Sequence, residues 1–210
     1  HLAYSDLSTS EKINYETVFA KNILQYLADA VPESVGFTSL VIDSFSIIKA
    51  TGAAPSREVV TRLFNALRSD RLELRGAPYS SIRPNGNRGF TFVFCCDASF
   101  GVNPAEPYQT ADHLEPHENL PAMLDRFKRL AADNKIVLKK GLQEVSIEAS
   151  SGFRRHHYTL SAGGTYRNVV KFVLQADKAH LPCAFRTLRL KARSRAVVDI
   201  DANLIFTTGN

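Results

Sequence analysis

Hydrophobic positions along this chain recur in two alternating rhythms. Val18, Phe19, Ile23, Tyr26 and Leu27 fall at spacings of three and four, which predicts a helix with one apolar stripe that stops at Pro32. Strand-like runs follow at 36–42 and 45–51, with Gly52 and Pro55 as punctuation. Ser56 is a good N-cap, and Val59, Val60, Leu63, Phe64 and Leu67 behind it form a second apolar stripe. Two more strands are predicted around 72–82 and 90–97, separated by the turn residues Arg83-Pro84-Asn85-Gly86-Asn87.

The second half of the chain repeats this order. Leu120, Met123, Leu124, Phe127 and Leu130 make an amphipathic helix, and strand-like runs follow at 137–148 and 155–162. Gly163-Gly164 breaks the chain, Thr165 caps, and Tyr166, Val169, Val170 and Val173 form the next helical face. The last two strands span 184–192 and 196–206. In the second of these Val198, Ile200, Ala202, Leu204 and Phe206 alternate with polar residues, the mark of a sheet covered on one side only. Two copies of helix, strand, strand, helix, strand, strand predict an α+β protein. Each copy is expected to be a permuted ferredoxin-like domain, a four-stranded antiparallel sheet with two helices on one face and its own small core.

Between the copies, residues 101–121 hold Pro104, Pro107, Pro116 and Pro121 and no sustained apolar period, so a linker is expected there, with residues 104–116 as its centre. A length of 210 residues agrees with two small domains. The composition, 44% hydrophobic and 22% charged, is that of a globular protein, and no run approaches the length of a membrane span. The net charge of +5 hints at anionic partners, but residues 1–105 balance 10 basic against 10 acidic residues, leaving all the excess in the second half. Three cysteines, two of them the adjacent Cys95 and Cys96, make no disulfide framework; on a strand one of that pair is buried and the other exposed.

Local chemistry is sparse. Arg88-Gly89-Phe90-Thr91-Phe92-Val93-Phe94-Cys95 resembles the aromatic octamer of RNA-recognition motifs, whose exposed rings stack on bases. Thr91 and Cys95 depart from that pattern, and the competing reading packs Phe90, Phe92 and Phe94 under the helices as core. His113 and His117 with Glu118, joined by His156 or His157, are candidate metal ligands, although Pro116 breaks the helical spacing of the first pair. Gly163-Gly164-Thr165 offers N–H groups to an anion but lacks the rest of a phosphate loop. The basic run Arg186, Arg189, Lys191, Arg193 and Arg195 reads as an anion patch unless a hairpin near Arg195 sets Arg189 and Lys191 against Asp201 and Asp199. No nucleophile, zincin or dinucleotide motif is present, so a non-enzymatic protein is expected, with no catalytic, cofactor or metal residue assigned.

The layout as a whole resembles a pair of families. Residues 23–32, Phe37-Thr38-Ser39-Leu40, Gly52-Ala53-Ala54-Pro55-Ser56 and residues 63–69 resemble the periplasmic domain of the type IV pilus assembly family PilN. Residues 120–134 and the helix opening Gly164-Thr165-Tyr166-Arg167-Asn168-Val169-Val170 resemble the companion family PilO. The resemblance implies a helical stalk over 1–22, a PilN-like domain over 23–103 and a PilO-like domain over 117–210. It further implies a scaffold in the inner-membrane platform of a pilus or related type II secretion system. Its partners would be itself or other platform proteins, with pilins and a secretin-linking lipoprotein as further contacts and no specific nucleic acid. A periplasmic location and a membrane anchor before His1 are the corresponding expectations; interface positions are not legible at this level.

Overall fold

Ser8 starts the first helix through a reciprocal cap: its hydroxyl accepts the Glu11 N–H, and the Glu11 carboxylate accepts the Ser8 N–H at 2.7 Å. In the computed structural model, which describes residues 4–67, 73–99, 114–178, 181–194 and 196–210, this helix, α1, runs Thr9–Ala30. No separate stalk ends at residue 22. Ile13, Tyr15, Val18 and Phe19 are as buried as Ile23 and Leu24, because one apolar stripe runs the length of the helix.

After α1 come β1 (Gly36–Asp43), β2 (Ile47–Ala54), α2 (Arg57–Ala66), β3 (Glu73–Pro84) and β4 (Phe90–Ser99). The second half supplies α3 (Leu120–Asp133), β5 (Val137–Ser150), β6 (Phe153–Thr165), α4 (Tyr166–Lys178), β7 (Cys183–Ala192) and β8 (Val197–Gly209). Ser56 caps α2 as expected, accepting the Val59 N–H. The strand expected from residue 45 begins at Ile47, since Ser44 and Phe45 take left-handed φ values of 51° and 55° to turn the β1–β2 hairpin. Gly163 and Gly164 do not break the chain but lie inside β6. A Cβ on Gly164 would come within 2.7 Å of Ile136 Cδ1, so the residue permits close packing rather than a turn. Thr165 does cap, its hydroxyl accepting the Asn168 N–H at 3.2 Å.

All eight strands join one antiparallel sheet in the order β3-β4-β2-β1-β7-β8-β6-β5. Numbered within its own half, each set of four reads third, fourth, second, first, so the halves share one strand order. They do not hold separate sheets, because β1 pairs with β7 from Ser39 opposite Lys191 to Asp43 opposite Thr187. Leu40 and Ile42 face Leu190 and Leu188, which carries the buried side of one half across into the other. On that side Phe64 of α2 packs edge-on against Phe92 and Phe94, while Phe127 of α3 and Phe172 of α4 pack on Phe206 and Phe185. α1 packs on β7 and α4. The buried side chains therefore form one cluster, not the two small cores expected. The expected linker over 104–116 lies mostly outside the described residues; within them, Pro116 bridges to Gly209 and Pro121 sits in the first turn of α3.

Candidate interaction surfaces

The joint between the halves is an edge-to-edge contact held by more than ladder hydrogen bonds. Thr187 donates its hydroxyl to the Asp43 carboxylate at 2.5 Å, and the Ser44 N–H donates to the Arg186 carbonyl at 2.8 Å. On the uncovered face, Arg189 lies opposite Asp201 and Lys191 opposite Asp199, the cross-strand arrangement the sequence suggested. Lys139 of β5 also pairs with Asp199, and that hydrogen bond holds the aspartate carboxyl below its usual range. Two residues of the basic run thus stand opposite acids of their own sheet.

A second contact ties α1 to the other half. Glu16 is 2% exposed, and its carboxylate accepts from both the Tyr4 hydroxyl and the Arg155 guanidinium of β6. Arg155 alternates with the buried His156 and so faces away from the α3 and α4 layer. Burial pushes the Glu16 carboxyl upward, opposed by Tyr4 and Arg155; burial, aided by Glu16, also raises the Tyr4 phenol. Phe45, His157 and Arg186 complete an open cleft of about 320 Å³ beside this cluster. Sequence reading missed all three members, since a Glu on a helix and an Arg on a strand, 139 residues apart, carry no local signal of meeting.

Among the described residues two sheet edges remain unpaired, β3 and β5. β3 contains Pro78 and Pro84, which lack N–H donors, and its pairing with β4 shifts register between Arg75 and Tyr79. β5 is 14 residues long and exposed almost throughout. It carries three of the five exposed large hydrophobic residues among those described: Val137 at 68%, Val145 at 65% and Ile147 at 54%.

The candidates for chemistry disperse. Phe92 and Phe94 are 1% and 2% exposed, stacked on each other beneath Phe64 and Phe37, with Phe90 half-buried. These rings form core rather than an open platform. His113 lies outside the described residues. His117 and His156 do meet, with ring centroids 5.0 Å apart and planes 7° apart, but parallel rings direct their nitrogen lone pairs side by side rather than toward one point. His156 is already engaged, Nδ1 with Glu144 at 3.2 Å and Nε2 with the Thr208 hydroxyl at 3.4 Å, while His157 faces the other side near Glu148. Among the described residues no group of three His, Cys, Asp or Glu is placed to hold a metal ion. Cys96 is buried and its thiol pushed up to about 12 by that burial, while Cys95 is half-buried, the alternation expected of neighbours on a strand.

No family model and no curated protein matches the sequence. Among solved structures, the type 4 fimbrial biogenesis protein PilO from Pseudomonas aeruginosa is similar at 14% identity and a TM-score of 0.38, over 44% of this chain and 70% of that one. No helix among the described residues is long and apolar enough to cross a membrane.

Proposed function

We propose that the protein is a non-enzymatic scaffold of a type IV pilus, or type II secretion-like, inner-membrane assembly platform, acting through protein–protein contacts. The observation that carries this reading is the joint between β1 and β7: two units of one strand order associate here edge to edge within a single chain. Strand-edge addition is a recurrent mode of protein association. In this reading each half is a permuted ferredoxin-like unit, the first PilN-like and the second PilO-like, in the order that the sequence pattern suggested. The protein would sit in the periplasm, and its partners would be other platform subunits.

The test is capture. The purified chain, immobilised, should retain pilus platform proteins from solubilised inner membranes and should bind single-stranded RNA only weakly, with affinity falling steeply as salt rises. Tight, salt-insensitive binding of a defined RNA without platform capture would overturn the scaffold reading in favour of nucleic-acid recognition.

A further inference from the structure

We propose that the cleft beside Glu16 is a binding site for a small organic carboxylate, anchored on the Arg186 guanidinium. The cleft measures about 320 Å³, at the small end of the roughly 300–1,000 Å³ in which proteins hold small molecules. Both halves build it. Tyr4 and Glu16 come from the N-terminal segment and α1, Ser44 and Phe45 from the β1–β2 turn, and Arg155, Arg186 and Ile205 from β6, β7 and β8. Two departures from regular structure shape its wall. Arg186 is the extra residue of a bulge in β7, since Phe185 lies opposite Leu204 and Thr187 opposite the next residue, Asn203. Ser44 and Phe45, neither of them glycine, hold left-handed backbone at φ 51° and 55°. The hydrogen bond from the Ser44 N–H to the Arg186 carbonyl, 2.8 Å long, locks turn and bulge together.

The balance of charge and of hydrogen-bonding groups names the ligand. Glu16 is answered within the chain, one carboxylate oxygen accepting from Arg155 and the other from the Tyr4 hydroxyl. Glu148 is answered by His157, whose Nε2 lies 3.2 Å away. Arg186 is exposed and makes no ion pair among the described residues, which leaves one cation over. Burial favours the neutral form of Glu16, so the balance is no less positive than this count. Arg155 Nε and His157 Nε2, both in the wall, are buried and make no hydrogen bond, so nitrogens here outnumber the oxygens that could serve them. A single uncompensated guanidinium calls for a monoanion, and its two parallel N–H groups match the two oxygens of a carboxylate. A dianion such as hydrogen phosphate would bring a second charge that meets no free cation and faces Glu148. Ile205 and Phe45 border the cleft and give the carbon skeleton of the acid an apolar surface.

The experiment is titration of the full chain, labelled for amide NMR, with sodium acetate, butyrate and benzoate, each beside its uncharged amide and all beside inorganic phosphate. The expected result is that at least one acid saturates with a Kd below about 5 mM and shifts the amides of Ser44, Phe45, Arg186 and His157. The matching amide should bind about tenfold more weakly, because it brings no charge to Arg186. Arg186→Ala should weaken the acid by a similar factor with an unchanged circular dichroism spectrum, and Arg186→Lys, which keeps the charge and loses the fork, should fall between. Failure of all three acids to saturate overturns the proposal, as do amides that bind as well as their acids or an affinity indifferent to Arg186→Ala. Shifts centred away from the cleft overturn it too, and phosphate binding more tightly than every acid overturns the assignment of a monoanion. None of these outcomes bears on the capture of platform proteins, so the site and the scaffold reading stand or fall separately.

Discussion

The two halves share a strand order and differ in self-sufficiency. In the second half β6 and β8 run 13 residues each and pair along their whole length, and β7 pairs with β8 from Cys183 to Ala192. In the first half β1 and β2 are 8 residues long, and α1 leans on β7 and α4, elements of the other half. The Tyr4, Glu16 and Arg155 cluster adds a polar tie in the same direction. One topology can thus be built as a free-standing unit or as one that borrows its cover, and the difference lies in strand length and in where one helix packs.

The sharpest way to break this comparison is to cut the chain. Expressed alone, residues 112–210 should melt cooperatively, while residues 1–103, deprived of β7 and α4, should lack a sharp transition by calorimetry and circular dichroism. Equal behaviour of the two fragments would show that the borrowed cover matters little.

Within the intact chain, Phe92→Ala and Phe127→Ala remove fully buried rings from opposite halves and should each cost about 3–5 kcal/mol. Each should lower one shared transition by roughly 10 °C, as expected for a chain of this length with a single core. Two separate transitions, with Phe92→Ala moving only one, would mean that the sheet is continuous but the cores are energetically independent.

The tie between the halves is tested by Arg155→Ala, which leaves Glu16 buried without its cation and should cost about 3 kcal/mol. Glu16→Gln should recover most of that loss. The pH dependence has a definite sign. Because the Glu16 carboxyl is held above its ordinary value, chiefly by burial, its contribution to stability is present at low pH and lost as pH rises through its folded pKa. Denaturant midpoints measured from pH 4 to pH 8 should show that loss in the parent chain, more of it in Arg155→Ala, and less in Glu16→Gln.

The smallest effect concerns thiols. Half-buried Cys95 should react with iodoacetamide at pH 8, whereas Cys96 and Cys183, whose thiols burial holds in the protonated form, should react only after unfolding. Peptide mass mapping would show one labelled site in the first half and none in the second.

Much of this architecture was legible because each element carries a period. Val198 to Phe206 alternate with such regularity that β8 and its covered face could be read directly, as could the cross-strand partners of Arg189 and Lys191. The joint was not legible, because Leu40 and Ile42 show the same alternation whether their strand ends a sheet or continues into another. Phe45 read as strand, since an aromatic residue beside Ile47 and Ile48 fits a β-run, and only the left-handed backbone sets it in the turn. Gly163-Gly164 read as a break for the complementary reason: glycine marks both turns and close approaches, and the packing of Ile136 decides between them. The buried Glu16 was invisible because its only cue, a charge on an amphipathic helix, is also that of a solvated face.

The pairing of β1 with β7 also sets an order of events during synthesis. Asp43 and Thr187 are 144 residues apart, so at ordinary elongation rates of about 5–20 residues per second β1 waits roughly 7 to 30 seconds for its neighbour. Throughout that interval the first half emerges with an open strand edge and with the α1 side chains destined for β7 uncovered. Slowing the ribosome anywhere between residues 44 and 186 prolongs this exposure without altering the finished molecule. The yield of folded protein is therefore expected to respond to the tempo of translation across the second half, and to whatever shelters β1 until Thr187 arrives.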